Sequence, residues 1–174
     1  MKAFFVPGAQ PHLSLLELQS LDPQSAFSLT QEGIFVGELE KNLGEVAQRS
    51  GGLQKVGSIF TQITIDDLEH LPALLASTIE PGDTRVHFGL SIYDGGDTGT
   101  YHGLKQEQKR LGMSLKTLLK EQDRRVRFVT GKDPALSAVI VEKNHLIKEG
   151  AEFVLIATNQ GILVGQTAWV QDFE

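Results

Sequence analysis

The first 63 residues alternate short apolar segments and turns in an order that admits few folds. Ala3–Val6 is an apolar strand ended by Pro7-Gly8. Pro11 suits a first helical turn, and Leu13, Leu15, Leu16, Leu18 and Leu21 follow at helical spacing until Asp22-Pro23 stops them. Ala26, Phe27 and Leu29 read as a strand, and Gln31, Glu32 and Gly33 turn it into IFVGEL, so a hairpin is expected. Leu43 to Arg49 is a brief helix closed by Gly51-Gly52, and Val56, Ile59, Phe60 and Ile63 mark a fourth strand. Strand, helix, strand, strand, helix, strand is the order of a small ferredoxin-like α+β sandwich, one sheet with two helices on one face.

The second half is again α/β. Ile65 to Thr78 is expected to be helical, with Asp66, Asp67 and Glu69 in its first turn where the helix dipole favours them. Glu80-Pro81-Gly82-Asp83 is the best linker, which divides the chain into 1–63, a helix and linker at 64–82, and a second domain at 83–174. Thr84–Tyr93 alternates as a strand, and the loop DGGDTGTYHG leads to a helix from Leu104. RVRFV is the next strand, and Pro134 to Lys148 reads as a helix through Leu136, Val139, Ile140, Leu146 and Ile147. Glu152–Thr158 and Ile162–Val170 flank the hairpin turn Asn159-Gln160-Gly161.

Charge is unevenly spread. The chain carries -6 overall, yet Gly103 to Lys132 holds nine Lys/Arg against three Asp/Glu. On a helix, Leu104, Leu111, Leu115, Leu118 and Leu119 fall on one arc, and Lys105, Lys109, Lys116 and Lys120 fall on a second arc about 60° wide beside it. Arg124, Arg125 and Arg127 carry the charge onto the following strand, Arg125 and Arg127 on one face and Val126 and Phe128 on the other. Lys143 and Asn144, late in the next helix, add a cation and an amide. Such a stripe on an acidic protein suits an anionic polymer, or else a solvated helix face.

Other chemistries have little support. With no cysteine, disulfides, thiolate zinc sites and thiol nucleophiles are excluded. The glycine-rich loop lacks the Lys-Ser/Thr ending of a P-loop, and Asp94 and Asp97 would repel phosphate, so it reads as a turn. Asp94, Asp97 and His102 share one loop without evident support as metal ligands. No G-x-S-x-G elbow is present, and no catalytic centre is expected within the chain. Aromatic residues suited to base stacking are few: Phe128, alternating with Arg127, reads as core, and Trp169 and Phe173 are the other candidates, although a Trp more often packs than stacks. The apolar start is too short for a signal peptide and no run suits a membrane span, so a cytoplasmic protein with no membrane association is expected.

Several stretches resemble one family. FFVPGAQPHLSLLELQSL, LSAVIVEKN and the final VQDFE are similar to the N-terminal region of THUMP-containing tRNA guanosine methyltransferases, and the resemblance covers essentially all 174 residues. It implies a ferredoxin-like domain followed by a THUMP-like RNA-binding α/β domain that grips the tRNA acceptor end. It further implies an S-adenosylmethionine-dependent methyltransferase domain, in cis or in trans, that modifies a guanosine at its exocyclic amine. The catalytic Asn/Asp-Pro-Pro-Tyr motif of such enzymes is absent, since the Asp-Pro pairs at Asp22 and Asp133 continue with Gln and Ala. No glycine-rich cofactor motif is present either, so the expectation is a tRNA-recognition module without a cofactor of its own. In that reading Lys105, Lys109, Lys116, Lys120, Arg124, Arg125 and Arg127 contact backbone phosphates, while Lys143 and Asn144 meet the strand end. The alternative is a protein-interaction or structural α/β module that binds no RNA.

Overall fold

The computed structural model describes residues 1–30, 33–80, 82 and 85–172. The first half is β1 (Lys2–Pro7), α1 (Pro11–Leu21), β2 (Phe27–Leu29), β3 (Phe35–Glu38), α2 (Leu43–Arg49) and β4 (Leu53–Ile63). These strands lie in the order β2-β3-β1-β4 with every neighbour antiparallel, which is the ferredoxin-like arrangement expected from the element order. Asn42 begins α2 by accepting from the Gly44 and Glu45 amides. The turn expected at Gln31 and Glu32 lies outside the described residues, as do Pro81, Asp83, Thr84 and Phe173.

The second half is α3 (Leu71–Thr78), β5 (Arg85–Asp94), α4 (Thr98–Glu121), β6 (Arg125–Val129), α5 (Ala138–Lys143), β7 (Gly150–Thr158) and β8 (Gly161–Val170). The strand order β8-β7-β5-β6 has β5 parallel to both β6 and β7 and closes on an antiparallel β7–β8 hairpin. A two-residue turn, Asn159-Gln160, joins that hairpin. Gly161 takes φ +135°, a conformation that side chains disfavour.

Three expected boundaries shift. Ile65 to Thr78 is not one helix: a 3₁₀ turn at Ile65–His70, begun by a capping box between Thr64 and Asp67, precedes α3, and Pro72 stands in the first turn of α3. The glycine-rich loop is shorter than its composition suggests, because Asp97 caps α4 through the Thr100 amide and so recruits Thr98 to Gly103 into the helix. The helix expected from Pro134 to Lys148 shrinks to Ala138–Lys143. Ser137 caps it at one end, and His145 at φ +54° turns the chain so that Leu146 folds back into the core.

All eight strands form one sheet, joined through the long β4–β8 pairing. The 64–82 segment therefore separates two halves of a continuous sheet. Helices α1 and α2 cover one side of the first half over Phe5, Phe35, Leu53 and Val56. Helices α3 and α4 cover one side of the second half over Val86, Phe88, Phe153 and Leu155. Phe4, Ile34 and Val36 of the first half pack with Val154, Ile156 and Leu163 of the second in a cluster shared by both halves. Among the described residues no helix is long and apolar enough to cross a membrane.

One close approach sets the position of α4. A side chain on Gly112 would put its Cβ 2.1 Å from the Phe128 ring, which itself stacks on Phe88 at 4.9 Å. Gly112→Val is expected to destabilise the fold by ~1–3 kcal/mol through overpacking, readable as a lower urea midpoint at unchanged slope.

Candidate nucleic-acid interface

Helix α4 is positioned by the leucine stripe. Leu104, Leu111, Leu115 and Leu119 are buried against β5 and β7, with Leu118 half-buried beside them. That burial fixes the rotation of the helix and leaves the lysine arc on its open flank. Lys109 and Lys120 are exposed, and Lys105 and Lys116 are half-buried along their stems. Lys105 also places its ammonium 4.6 Å from the centre of the Tyr101 ring. Among the described residues none of these four lysines forms an ion pair, whereas the neighbouring Arg110 is held by Glu107. The ridge is therefore uncompensated positive charge on a rigid element.

The arginines do not simply prolong that ridge. Val126 and Phe128 of β6 pack toward α4, which turns Arg125 and Arg127 to the opposite face of the sheet. There they pair in register with Arg85 and His87 of β5. Lys143 and Asn144 belong to this second face, since the Asn144 carbonyl lies 3.4 Å from His87 Nδ1. The Asn144 amide is already used, donating to the Ile140 carbonyl at 2.8 Å. Arg124 is also committed, because Nη2 donates to the Glu80 carbonyl at 3.1 Å and ties the end of α4 to the segment before β5. The sequence stripe thus becomes two basic surfaces on either side of β6, the last strand of the sheet.

Sequence reasoning missed Arg85 and Met113. The signal for Arg85 is the matching pair RVHF and RVRF, which puts two basic residues on one face of each neighbouring strand. Met113 stands four residues after Lys109 and three before Lys116, in the one gap of the ridge, and is 45% exposed. Beside it a groove of about 450 Å³ opens between α4 and the β6–α5 loop.

The Asp94 and Asp97 carboxylates serve the loop itself. Asp94 accepts from the Gly96 amide and the Thr98 hydroxyl, and Asp97 from the Thr100 amide and hydroxyl. These last bonds hold the Asp97 carboxyl below the usual aspartate range. Two carboxylates at the start of α4 oppose an anion there. A larger cleft of about 570 Å³ lies between the β2–β3 edge and the β7–β8 turn, but Lys2 and Glu38 balance each other in its lining. Trp169 is half-buried against the first-half core and is no open stacking platform.

No family model and no curated protein matches this chain. Solved structures do. TrmN from Thermus thermophilus matches 98% of this chain with a TM-score of 0.55 at 14% identity. A 4-thiouridine synthetase captured in complex with RNA and bound ATP matches 99% of it with a TM-score of 0.54 at 13% identity. The fold is shared. The chain spans 46% of the first protein and 42% of the second, under half of each. A ferredoxin-like unit followed by a second α/β unit on one continuous sheet is the architecture of this chain.

Proposed function

We propose that the chain is an RNA-binding module that grips a tRNA acceptor end and presents a guanosine to an S-adenosylmethionine-dependent methyltransferase domain, in cis or in trans. The observation that carries RNA binding is the row of four lysines on the open flank of α4, none of them in an ion pair among the described residues. A 4-thiouridine synthetase sharing this fold was captured with RNA, which supports the same partner. The resemblance of the sequence supports tRNA and guanosine-N2 methylation as the finer reading.

In this reading Lys105, Lys109, Lys116 and Lys120 neutralise successive phosphates, and Arg125 and Arg127 hold backbone that passes round the β6 edge. Arg124 acts by fastening the end of α4, and Lys143 with Asn144 borders the arginine face. Two exposed leucines of α1, Leu13 at 59% and Leu16 at 61%, favour the second reading, a protein-docking module. The reading is tested by titrating the chain with total tRNA, intact and trimmed of its 3′-terminal nucleotides. Trimming is expected to weaken binding measurably. Equal binding of both would remove acceptor-end recognition, and no binding at low salt would favour protein docking.

A further inference from the structure

The curl of the sheet builds a second site, away from the lysine ridge. In strand order β2 and β7 stand five places apart, which would be about 24 Å in a flat sheet. Yet Ser28 of β2 and Thr158 of β7 line one cleft. The cluster of Phe4, Val36, Ile156 and Leu163 behind it contains no helical residue, so the sheet closes over its own side chains. Gly57 and Gly165 on the middle strands leave room for this. A Cβ on Gly57 would lie 2.3 Å from the Phe4 ring, and one on Gly165 2.4 Å from the Ser58 carbonyl oxygen.

The cleft, of about 570 Å³, is the open mouth of that curl. It also lies at the carboxyl ends of the parallel strands β5 and β7, where Asp94 pairs in register with Ala157 and the next residues, Gly95 and Thr158, reach the lining. Ligands of open α/β sheets collect at such strand ends, and the volume is that of a small-molecule site. We infer that this mouth binds a nucleoside, its base read by the side-chain amides of Asn159 and Gln160 and its ring plane laid on Val36 and Leu163. The site stands whether or not the lysine ridge holds RNA.

The chemistry of the lining selects that class. Lys2 and Glu38 are register partners on β1 and β3, so their charges cancel and a phosphate gains nothing there. Asn159 and Gln160 are exposed in the β7–β8 turn, and their side chains form no hydrogen bond among the described residues. Each carboxamide sets a donor beside an acceptor, a pattern that base edges also present. The Thr30 hydroxyl accepts from the Ile34 amide at 3.1 Å and keeps its own proton for a ribose oxygen. Val36 and Leu163, both buried, give the floor an apolar surface for a flat ring.

The walls are fixed before any ligand arrives. Gln62 Nε2 donates to the Gln160 carbonyl at 2.6 Å and ties the end of β4 to the β7–β8 turn. Ser28 Oγ donates to the Val36 carbonyl at 3.1 Å, and the Gly95 amide to the Ala157 carbonyl at 2.7 Å. A cleft held in this way needs little ordering to bind. A nucleoside reaches it either free or as a residue of an RNA, and the contacts are common to both.

The test is an NMR titration of the whole nitrogen-15-labelled chain, reading the side-chain amides of Gln62, Asn159 and Gln160 and the backbone amide of Gly95. The probes are the ribonucleosides, their 5′-monophosphates and ribose. At least one nucleoside is expected to shift these signals saturably, its monophosphate to bind no tighter, and ribose to shift nothing. Asn159→Ala with Gln160→Ala, both at exposed positions, is expected to weaken that nucleoside about tenfold at an unchanged urea midpoint, read at Gln62 and Gly95. Excess total tRNA that displaces the nucleoside would make an RNA residue the natural occupant. Binding unaffected by tRNA would leave the mouth to a free nucleoside.

No shift with any nucleoside would overturn the site, as would full affinity in the folded double variant. Ribose binding as well as the nucleoside would give the mouth to a sugar, and a monophosphate binding about tenfold tighter would give it to a phosphate. Either result overturns base recognition and leaves the lysine ridge untouched.

Discussion

Glu152→Ala is expected to destabilise the fold by ~3–5 kcal/mol, the largest effect of any single substitution considered for this chain. Glu152 is fully buried on β7 and is the hub of a polar cluster. One carboxylate oxygen accepts from Lys55 Nζ at 2.6 Å and Ser91 Oγ at 2.5 Å, and the other from Thr167 Oγ1 at 2.5 Å. Lys55 also donates to the Tyr93 hydroxyl at 3.0 Å, and the Leu136 amide donates to Ser91. The side chains of this cluster come from β4, β5, β7 and β8, so one carboxylate links the two halves of the sheet at their junction.

Removing it leaves a buried ammonium with only a phenol for company and two hydroxyls without their acceptor. Burial alone would push the Lys55 ammonium down, but the neighbouring carboxylate outweighs that and holds it above the usual lysine value. The stability that Lys55 contributes is then complete at neutral pH and is lost only as pH rises above 10.5 and through the raised folded value. Urea unfolding at pH 7 reads the loss, and a decrease below about 1 kcal/mol would mean that solvent reaches the cluster. Lys55→Met on a Glu152→Gln background is expected to cost less than the two single changes summed, because no unpaired charge then remains.

Reversing two charges on the ridge should act on binding and spare the fold. Lys109→Glu combined with Lys116→Glu is expected to weaken tRNA binding about 100-fold and to lower the magnitude of the log–log salt slope by about 1.5–2. Neither lysine forms an ion pair among the described residues, so unfolding free energy should move by no more than about 0.5 kcal/mol per site. Gel-shift titration beside urea unfolding separates the two effects. Unchanged binding would take the ridge out of the interface. The reversal Arg125→Glu with Arg127→Glu probes the other face, and a comparable loss there would show that RNA passes round the β6 edge.

What the sequence revealed follows the range of the interactions involved. The ferredoxin-like half was legible because each strand and helix is bounded by local signals such as Pro7-Gly8, Asp22-Pro23 and Gly51-Gly52. The lysine arc was legible because it shares a helix with the leucines that fix its rotation. The arginines were harder. Their side of β6 followed from alternation, but which face α4 would cover depends on the contact of Gly112 with Phe128, sixteen residues apart in sequence.

Helix ends misled where a single side chain outweighed composition. Asp97 turned a glycine-rich stretch into the first turns of α4, and the backward turn at His145 ended a helix that apolar spacing had continued to Lys148. The buried Lys55–Glu152 pair was invisible, since its partners stand 97 residues apart and neither sits in a motif. The exposure of Met113 beside a groove was not legible either, since the groove is made by the β6–α5 loop, distant from it in sequence.

The most direct test of RNA recognition through the α4 ridge is the affinity of the wild-type chain for total tRNA between about 50 and 200 mM salt. Four lysines neutralising four phosphates predict a log–log slope of about −3 to −4. An affinity that does not change across that range would contradict a phosphate-binding ridge and leave the shared fold without an RNA interface on this face.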